Sequence, residues 1–519
     1  MRKLKELICD FEYEILCGDT NREYTEMVTD SRKLAKDCVF VCIKGANFDG
    51  HSAAKDAIEA GAAAIVIQDE TEYIKSYREK ATTVIKVADT RYAMALMACA
   101  YNDYPAKKLT TIGITGTKGK TTTTYLIKSI LEKSGRRVGL IGTIEVIIGD
   151  EHIKANNTTP ESTLVQEYLK RMVDAGCDTV VMEVSSQGLM LHRTAGIYYD
   201  IGIFTNIEAD HIGPNEHTSF EHYLSCKSLL FKQCRVGIVN GDDAHVEEIL
   251  KNSACRVVRY GVDDKPAAIK AAVEGTDVAA SDLTLKRSGG RLGVEFNVKV
   301  NPAALSDAKI TGSGGIKDFK AVINMPGKFS VYNALCAICV CLELGIDIET
   351  MQKALPNGSV KGRIEMLKVS DEYTVMIDYA HNAMALESLL TTLREYAPGR
   401  IVCLFGCGGN RARARRFEMG EVSGRLSDFT IITSDNPRNE DPMDIIADIK
   451  EGFLKTTGEY VEIPDRKEAI KYAIEHALAG DIIVLAGKGH EDYQEICGTR
   501  HHMDERELVR EAMTELGLV

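Results

Sequence analysis

The stretch Gly113-Ile-Thr-Gly-Thr-Lys-Gly-Lys-Thr-Thr122 carries the plainest chemistry in the chain. The apolar run before it, Leu109–Ile114, reads as a strand. The run after it, Thr121–Lys133, has Leu126/Ile130 and Ile127/Leu131 four apart and reads as a helix. A glycine-rich turn between strand and helix aims backbone N–H groups at an anion and adds the positive end of the helix dipole. Lys120 then supplies a point charge for phosphate, and the hydroxyl of Thr121 reaches a Mg²⁺ ion. The strict phosphate-loop pattern requires glycine where this chain has Ile114. The match is to a shorter form, Gly116-Thr117-Lys118-Gly119-Lys120-Thr121-Thr122.

Other polar residues sit where apolar runs end, the place where doubly wound sheets bind ligands. Val180–Ser186 puts Glu183 at the end of a buried run, and Ile203-Phe-Thr-Asn206 leads to Asp210-His211. Glu183, His211 and Thr121 suit a Mg²⁺ on nucleotide phosphates, since they offer hard oxygens and one imidazole. A structural ion pair is the plain alternative for Glu183, and for His211 alone the two readings are even. Lys227 stands alone in the helical pattern His222–Gln233 and reads from pattern as a solvated or snorkelling lysine. Further along, Asp378-Tyr-Ala-His381 and Asp435-Asn436-Pro437-Arg438 each follow a strand-like run. Arg411, Arg413, Arg415 and Arg416 follow Gly406-Cys-Gly-Gly409; they form either a solvated loop or a grip on carboxylate or phosphate. Gly487-Lys-Gly-His-Glu491 closes the last strand. Near the start, Thr29-Asp-Ser31-Arg32 and the loop Lys44–His51, with Gly45, suit an anion, although turn chemistry alone explains both.

These residues need a large scaffold. At 519 residues the chain requires two to four domains. Strand and helix patterns alternate throughout, predicting an α/β protein of three domains. Residues 1–106 form a small α/β unit, residues 107–350 a nucleotide domain with a doubly wound sheet, and residues 351–519 a second Rossmann-like domain without the dinucleotide glycine fingerprint. Residues 262–325 interrupt the rhythm with hairpins and a Gly/Ser/Ala-rich loop near Asn301–Gly315. A net charge of −13 argues against a nucleic-acid partner. No apolar signal segment follows Met1 and no run of about 18 apolar residues exists, so no membrane association is expected. The 15 cysteines are scattered, with Cys336/Cys339 a lone pair in a helical pattern, as expected of reduced thiols in a cytoplasmic protein.

Taken in order, Gly116–Thr122, Asn157-Thr158-Thr159, Met182-Glu-Val-Ser-Ser186, Asp210-His211, Gly362-Arg363-Ile-Glu365, Asp378–His381 and Asp435–Arg438 resemble the motifs of the Mur ligases over nearly the whole chain. The resemblance implies a three-domain, ATP-dependent amide ligase of peptidoglycan precursor synthesis, cytoplasmic and monomeric. It implies that Ser31 and the loop at Gly45 hold the uridine diphosphate end of UDP-MurNAc-L-Ala-D-Glu. ATP and Mg²⁺ lie on the middle domain, with Asn333, Arg363 and Asp378 also serving the nucleotide. Asn157, Thr158, Thr159, Ser185 and Arg193 match contacts to the muramoyl dipeptide. Lys227 aligns with the lysine that the family carbamylates, which reverses the reading from pattern alone and makes it a metal ligand. Arg416, Asp435, Asn436, Pro437, Arg438, Gly487 and Glu491 match the amino-acid pocket. The form Asp-Asn-Pro-Arg implies diaminopimelate rather than L-lysine, because Arg438 pairs with a carboxylate that lysine lacks. Leu191, the run Ile212–His217 and Ala412–Phe417 depart from the usual pattern. The alternatives are the L-lysine-adding ligase, a folylpolyglutamate-synthase-like ligase and a nucleotide-dependent switch.

Overall fold

A computed structural model of the chain describes residues 2–45, 48–77, 81–210, 212–213, 216–263, 276–305 and 318–519. His211 and most of the loop expected near Asn301–Gly315 therefore lie outside the described residues. By its contact pattern the chain divides into two compact units. One comprises Met1–Lys120, Gly135–Val239 and Asp243–Val257; the other comprises Thr121–Ser134, Asn240–Asp242 and Val258–Val519.

The first unit carries a short pairing of Arg2–Lys3 with Glu23–Tyr24 and two larger sets of strands. The N-terminal sheet orders Glu14–Cys17, Thr83–Lys86, Ala64–Ile67, Val39–Val41 and Met27–Val28, parallel except for its first strand. Ala64–Ile67 is fully buried, as an interior parallel strand must be. The second sheet runs in the order Glu151–Lys154, Glu145–Ile148, Val138–Ile141, Thr179–Glu183, Thr110–Thr115, Tyr199–Phe204 and Cys234–Asn240. Its last five strands are parallel. The C-terminal ends of these strands deliver Thr115, Glu183 and the turn after Phe204 to one edge. Helix Ser162–Asp174 packs against Thr90–Tyr101, joining the N-terminal residues to this second sheet.

In the second unit, Val278–Ser288, Arg291–Val300 and Phe319–Ile323 form an antiparallel meander under helix Lys328–Glu343. A six-stranded sheet follows, in the order Glu365–Leu367, Thr374–Asp378, Ile482–Ala486, Ile401–Phe405, Phe429–Ile432 and Tyr460–Glu462. Alternate residues of its strands feed two separate cores: Met376, Cys403, Phe405 and Val484 on one face, Ile377, Leu404, Ile431 and Ile483 on the other. Burial on both faces is why these strands read as unbroken apolar runs.

Three features differ from the sequence expectation. The helix expected at His222–Gln233 starts earlier, at Phe220–Ser228, because the Ser219 hydroxyl caps it by accepting from His222 N at 3.2 Å; it tightens to a 3₁₀ turn at Leu229–Lys232. The arginine-rich stretch builds a helix, Ala414–Leu426. Its glycines are packing devices: a Cβ at Gly420 would lie 2.1 Å from Ile449 O on helix Pro442–Phe453. A hairpin, Tyr493–Ile496 with Thr499–His502, turns on Cys497 (φ +47°) and Gly498 (φ +76°), a mirror-type turn that suits the strand twist.

Candidate active site

The phosphate-type loop is built from both sides. Asn206 O accepts from Thr117 N at 2.9 Å, and Asn206 Oδ1 accepts from Lys118 N at 2.9 Å. The Lys118 carbonyl accepts from Thr205 Oγ1 at 2.7 Å and from Asn206 Nδ2 at 3.0 Å. Four bonds from one neighbouring turn fix a segment that a glycine-rich sequence alone leaves loose. Gly116 adopts φ +148° and Gly119 φ +85°, conformations that disfavour a side chain. A Cβ at Gly116 would also lie 1.9 Å from Thr205 Oγ1. Gly116→Ala is therefore expected to weaken nucleotide binding at least about tenfold, because the loop must shift to relieve the overlap. Calorimetric titration with ATP checks this, and wild-type affinity would place the phosphate cradle elsewhere.

Lysines converge on this loop. Lys120 Nζ donates to Gly116 O at 2.8 Å and Thr117 O at 3.1 Å. Lys227 Nζ donates to the same Gly116 carbonyl at 3.0 Å and lies 4.4 Å from the Tyr223 ring centroid. Lys227 is 2% exposed, which corrects the solvated reading taken from its helical pattern. That pattern failed because the helix face carrying Lys227 is covered by a loop 111 residues away. Burial first, and the neighbouring Lys120 charge second, hold the Lys227 pKa well below that of an ordinary lysine. Both effects disfavour the charged form of this amine. Tyr223, not singled out by sequence, meets Thr117 Oγ1 at 3.0 Å through its hydroxyl.

Glu183 ends its strand fully buried. Thr143 holds both carboxylate oxygens, its N–H donating to Oε1 at 2.9 Å and its hydroxyl to Oε2 at 3.0 Å. Thr143 Oγ1 is also 3.0 Å from Thr158 Oγ1, and Thr159 Oγ1 donates to Glu183 O at 2.9 Å. The Thr158-Thr159 motif is thereby fastened to the carboxylate strand. The same Thr159 hydroxyl accepts from Ser185 N at 2.9 Å, and Ser185 caps the helix Ser186–Met190. Arg193 donates to Thr159 O at 3.0 Å and to Glu161 Oε1 at 2.6 Å, with Arg91 on the other side of Glu161. Asn157 is exposed and Leu191 half-buried. In the N-terminal sheet region, Ser31 opens a 3₁₀ turn capped by Asp30, and Gly45 N donates to Phe48 O at 2.9 Å.

In the second unit, Asn333 Oδ1 accepts from Thr123 Oγ1 at 3.3 Å. Asp378 accepts from Ile364 N at 2.9 Å and Ala380 N at 2.8 Å, while the Arg363 guanidinium lies 4.8 Å from the Tyr379 ring centroid. Burial raises the Asp378 pKa despite the opposing pull of Arg363. Gly487 N donates to Asp378 O at 3.0 Å, joining two of the motifs.

Asp435–Arg438 leads into a charged nest organised by a lysine that sequence reasoning passed over. Lys488 is fully buried; its ammonium donates to Asn436 Oδ1 and Glu491 Oε2, each at 2.9 Å, and to Tyr493 O at 2.5 Å. Its place between Gly487 and Gly489 at a strand end was the available signal. Asn436 Nδ2 donates to Glu491 Oε2 at 2.9 Å. Burial works to raise the Glu491 pKa, but the Lys488 charge and these hydrogen bonds outweigh it and hold the carboxyl ionised. Arg438 sits at φ +53°, its N–H donating to Glu495 O at 2.9 Å, Nη1 to Gly409 O at 2.7 Å and Nε to Glu495 Oε2 at 3.2 Å. Its Nη2 has no hydrogen-bond partner among the described residues. Arg416 is not in a solvated loop: it is 2% exposed and donates to Glu440 at 2.8 Å and Asp448 at 2.9 Å. Both acids come from elements 24 and 32 residues away, so neither pairing was legible in the local run.

Sequence and fold comparisons address the same arrangement. The chain matches the family descriptions "Mur ligase family, catalytic domain" over residues 23–102, "Mur ligase middle domain" over 114–341 and "Mur ligase, glutamate ligase domain" over 362–489. It is 42% identical over 517 residues to UDP-N-acetylmuramoyl-L-alanyl-D-glutamate--2,6-diaminopimelate ligase 1 of Clostridium acetobutylicum, covering 99% of this chain and 100% of the relative. It is 41% identical to the correspondingly named ligase of Caldanaerobacter subterraneus, covering 99% of each. A solved structure of a UDP-N-acetylmuramoyl-L-alanyl-D-glutamate--2,6-diaminopimelate ligase matches with TM-score 0.71 and 28% identity, covering 99% of each chain. A Mycobacterium tuberculosis folylpolyglutamate synthase shares the fold at TM-score 0.56 and 16% identity, covering 77% of this chain and 92% of that one.

Proposed function

The chain belongs to the Mur ligase family, and from that membership we propose that it joins meso-diaminopimelate to the γ-carboxylate of D-Glu in UDP-MurNAc-L-Ala-D-Glu, using ATP, in the cytoplasm. The observation that carries this is the full-length identity of 42% and 41% to ligases of that name. The guanidinium of Arg438 in the Asp435–Arg438 nest supports the choice of amino acid. Among the described residues no helix is long and apolar enough to cross a membrane.

A carboxylate is a poor electrophile at neutral pH, so the reaction first converts it to an acyl phosphate. The γ-carboxylate of D-Glu attacks the γ-phosphorus of ATP, and ADP leaves. Lys120 and the loop N–H groups stabilise the charge on the transferred phosphoryl group. The amine of the incoming amino acid then attacks the acyl carbon, an amide C–N bond forms, and phosphate leaves. Mg²⁺, when bound, offsets phosphate charge and polarises the phosphoryl oxygens. The Glu183 carboxylate and the Thr121 hydroxyl are the hard oxygen donors such an ion needs, and His211 completes the assigned set. Lys227 joins them as a carbamate: its neutral amine adds CO₂, one proton leaves, and a cation becomes an oxygen anion. The burial that lowers its pKa favours that step.

Ser31 and Gly45 take the uridine diphosphate end, and Asn157, Thr158, Thr159, Ser185 and Arg193 take the dipeptide. Thr159 already ties Ser185 and Glu183 together, so dipeptide and metal contacts share one hydrogen-bonded frame. Asn333, Arg363 and Asp378 serve the nucleotide, and Arg416, Asp435, Asn436, Pro437, Arg438, Gly487 and Glu491 the amino acid.

The test is phosphate release by the purified protein with ATP, Mg²⁺ and UDP-MurNAc-L-Ala-D-Glu. Release is expected on adding meso-diaminopimelate and to be at least about tenfold slower with L-lysine at equal concentration. Equal release with no amino acid would identify a nucleotide switch, and preference for lysine would reverse the specificity.

A further inference from the structure

One cluster of ligand-type side chains lies outside the chemistry above. His217, His222 and Cys226 each offer a donor atom, and the three donors lie within 4.8 Å of one another. His222 and Cys226 are four apart on helix Phe220–Ser228. Side chains one turn apart share a helix face, the spacing with which a helix clasps an ion between two ligands. His217 comes from the turn before the helix, where Gly213 N donates to His217 O at 3.1 Å. Its ring is fully buried and meets His222 edge to face, with centroids 5.1 Å apart. Cys226 is 4% exposed.

The surroundings match those of a ligating imidazole. His217 Nε2 lies 2.8 Å from Ser186 Oγ, and His222 Nδ1 lies 3.3 Å from Thr218 Oγ1 and accepts from Thr218 N at 3.4 Å. These contacts set the aim of each ring and leave its other nitrogen as the one to meet a metal. In a tetrahedral site, bond lengths of about 2.0–2.1 Å to nitrogen and 2.3 Å to sulfur put the donors roughly 3.5 Å apart. Side-chain rotations of about 1 Å close the difference.

We propose that His217, His222 and Cys226 form a binding site for a borderline divalent transition-metal ion, Zn²⁺ above all, with the fourth position held by water or an incoming ligand. The thiol loses its proton to solvent as the metal–sulfur bond forms. Two imidazoles and a thiolate select such an ion over Mg²⁺, which takes oxygen donors. The next residue on the helix is Lys227, so an occupied site pins the element that carries it.

Co²⁺ is the probe, added to the full-length, reduced, metal-stripped protein. The expected result is one equivalent bound with a thiolate-to-cobalt charge-transfer band in the near ultraviolet. Stoichiometric Zn²⁺ removes the band and millimolar Mg²⁺ does not. Cobalt on oxygen ligands gives no such band, so the Mg²⁺ position does not mimic the signal. Cys226→Ser abolishes it, and His222→Gln weakens Zn²⁺ binding at least about tenfold. His222 is only half-buried, so this variant decides the matter if the cysteine variant fails to fold. No band in the wild type, a band retained in Cys226→Ser, or unchanged Zn²⁺ affinity in folded His222→Gln overturns the proposal.

Discussion

Replacing Lys227 by alanine is expected to lower the rate of amide formation by roughly 10³-fold, about 4 kcal/mol of transition-state stabilisation. The argument rests on where the amine sits. It is buried, shares the Gly116 carbonyl with Lys120, and has its proton affinity lowered by desolvation and by that second cation. As a simple ammonium it would add a charge the site already has. As a carbamate it would add a second anionic oxygen beside the Glu183 carboxylate in the proposed metal set. Lys227→Met separates this role from packing. It loses one hydrogen bond, worth about 1 kcal/mol, and relieves a buried amine, so its melting temperature should stay within a few degrees of wild type while activity disappears. Formate or acetate, supplying the missing carboxylate, should restore part of the rate to Lys227→Ala. Carbon-13 NMR with labelled bicarbonate should show a carbamate resonance in wild type and none in either variant. Full activity in the methionine variant would remove Lys227 from the chemistry.

Arg438→Ala is expected to cost about 2–4 kcal/mol in kcat/KM with meso-diaminopimelate, roughly 30- to 1000-fold, and less than about threefold with L-lysine. Nε and Nη1 are anchored by Glu495 and Gly409, which sets the orientation of the guanidinium. Nη2 has no hydrogen-bond partner among the described residues, and in the proposed reaction it is the group that would meet the second carboxylate of diaminopimelate. Truncation leaves that carboxylate without its cation, whereas lysine has no such group to lose. The substitution keeps a Cβ at a position already at φ +53°, so it changes the side chain without a new backbone conflict. Arg438→Lys should be intermediate, since an ammonium keeps the charge but not the fork. Measured kcat/KM for both amino acids across the three forms checks this, and equal losses for the two would show that Arg438 acts only as a brace.

The central loop, most strand cores and the order of the ligase motifs were readable from the chain because they are local. A glycine-rich turn, a capped helix or a buried parallel strand is written in a few neighbouring residues, through backbone freedom and the two-residue or 3.6-residue period. The strand read at Leu109–Ile114 is found at Thr110–Thr115, and the helix read at Thr121–Lys133 at Lys120–Lys133. The helix Ala414–Leu426 was missed because its glycines serve close approach to another helix, which no local rule records.

Local sequence thus determined which chemistry the chain carries: a phosphate loop, a carboxylate at a strand end, and an arginine in an Asp-Asn-Pro-Arg turn. Tertiary structure alone decided the state of those groups. Lys227 changes from a solvated helix residue to a buried amine of lowered proton affinity because Gly116, 111 positions earlier, comes to lie against it. Glu183 is fixed by Thr143, 40 residues before it, and Asn436 by Lys488, 52 residues after it. Burial and charge pairing depend on which distant segments meet, and they set proton affinity and aim, which residue type and spacing leave open.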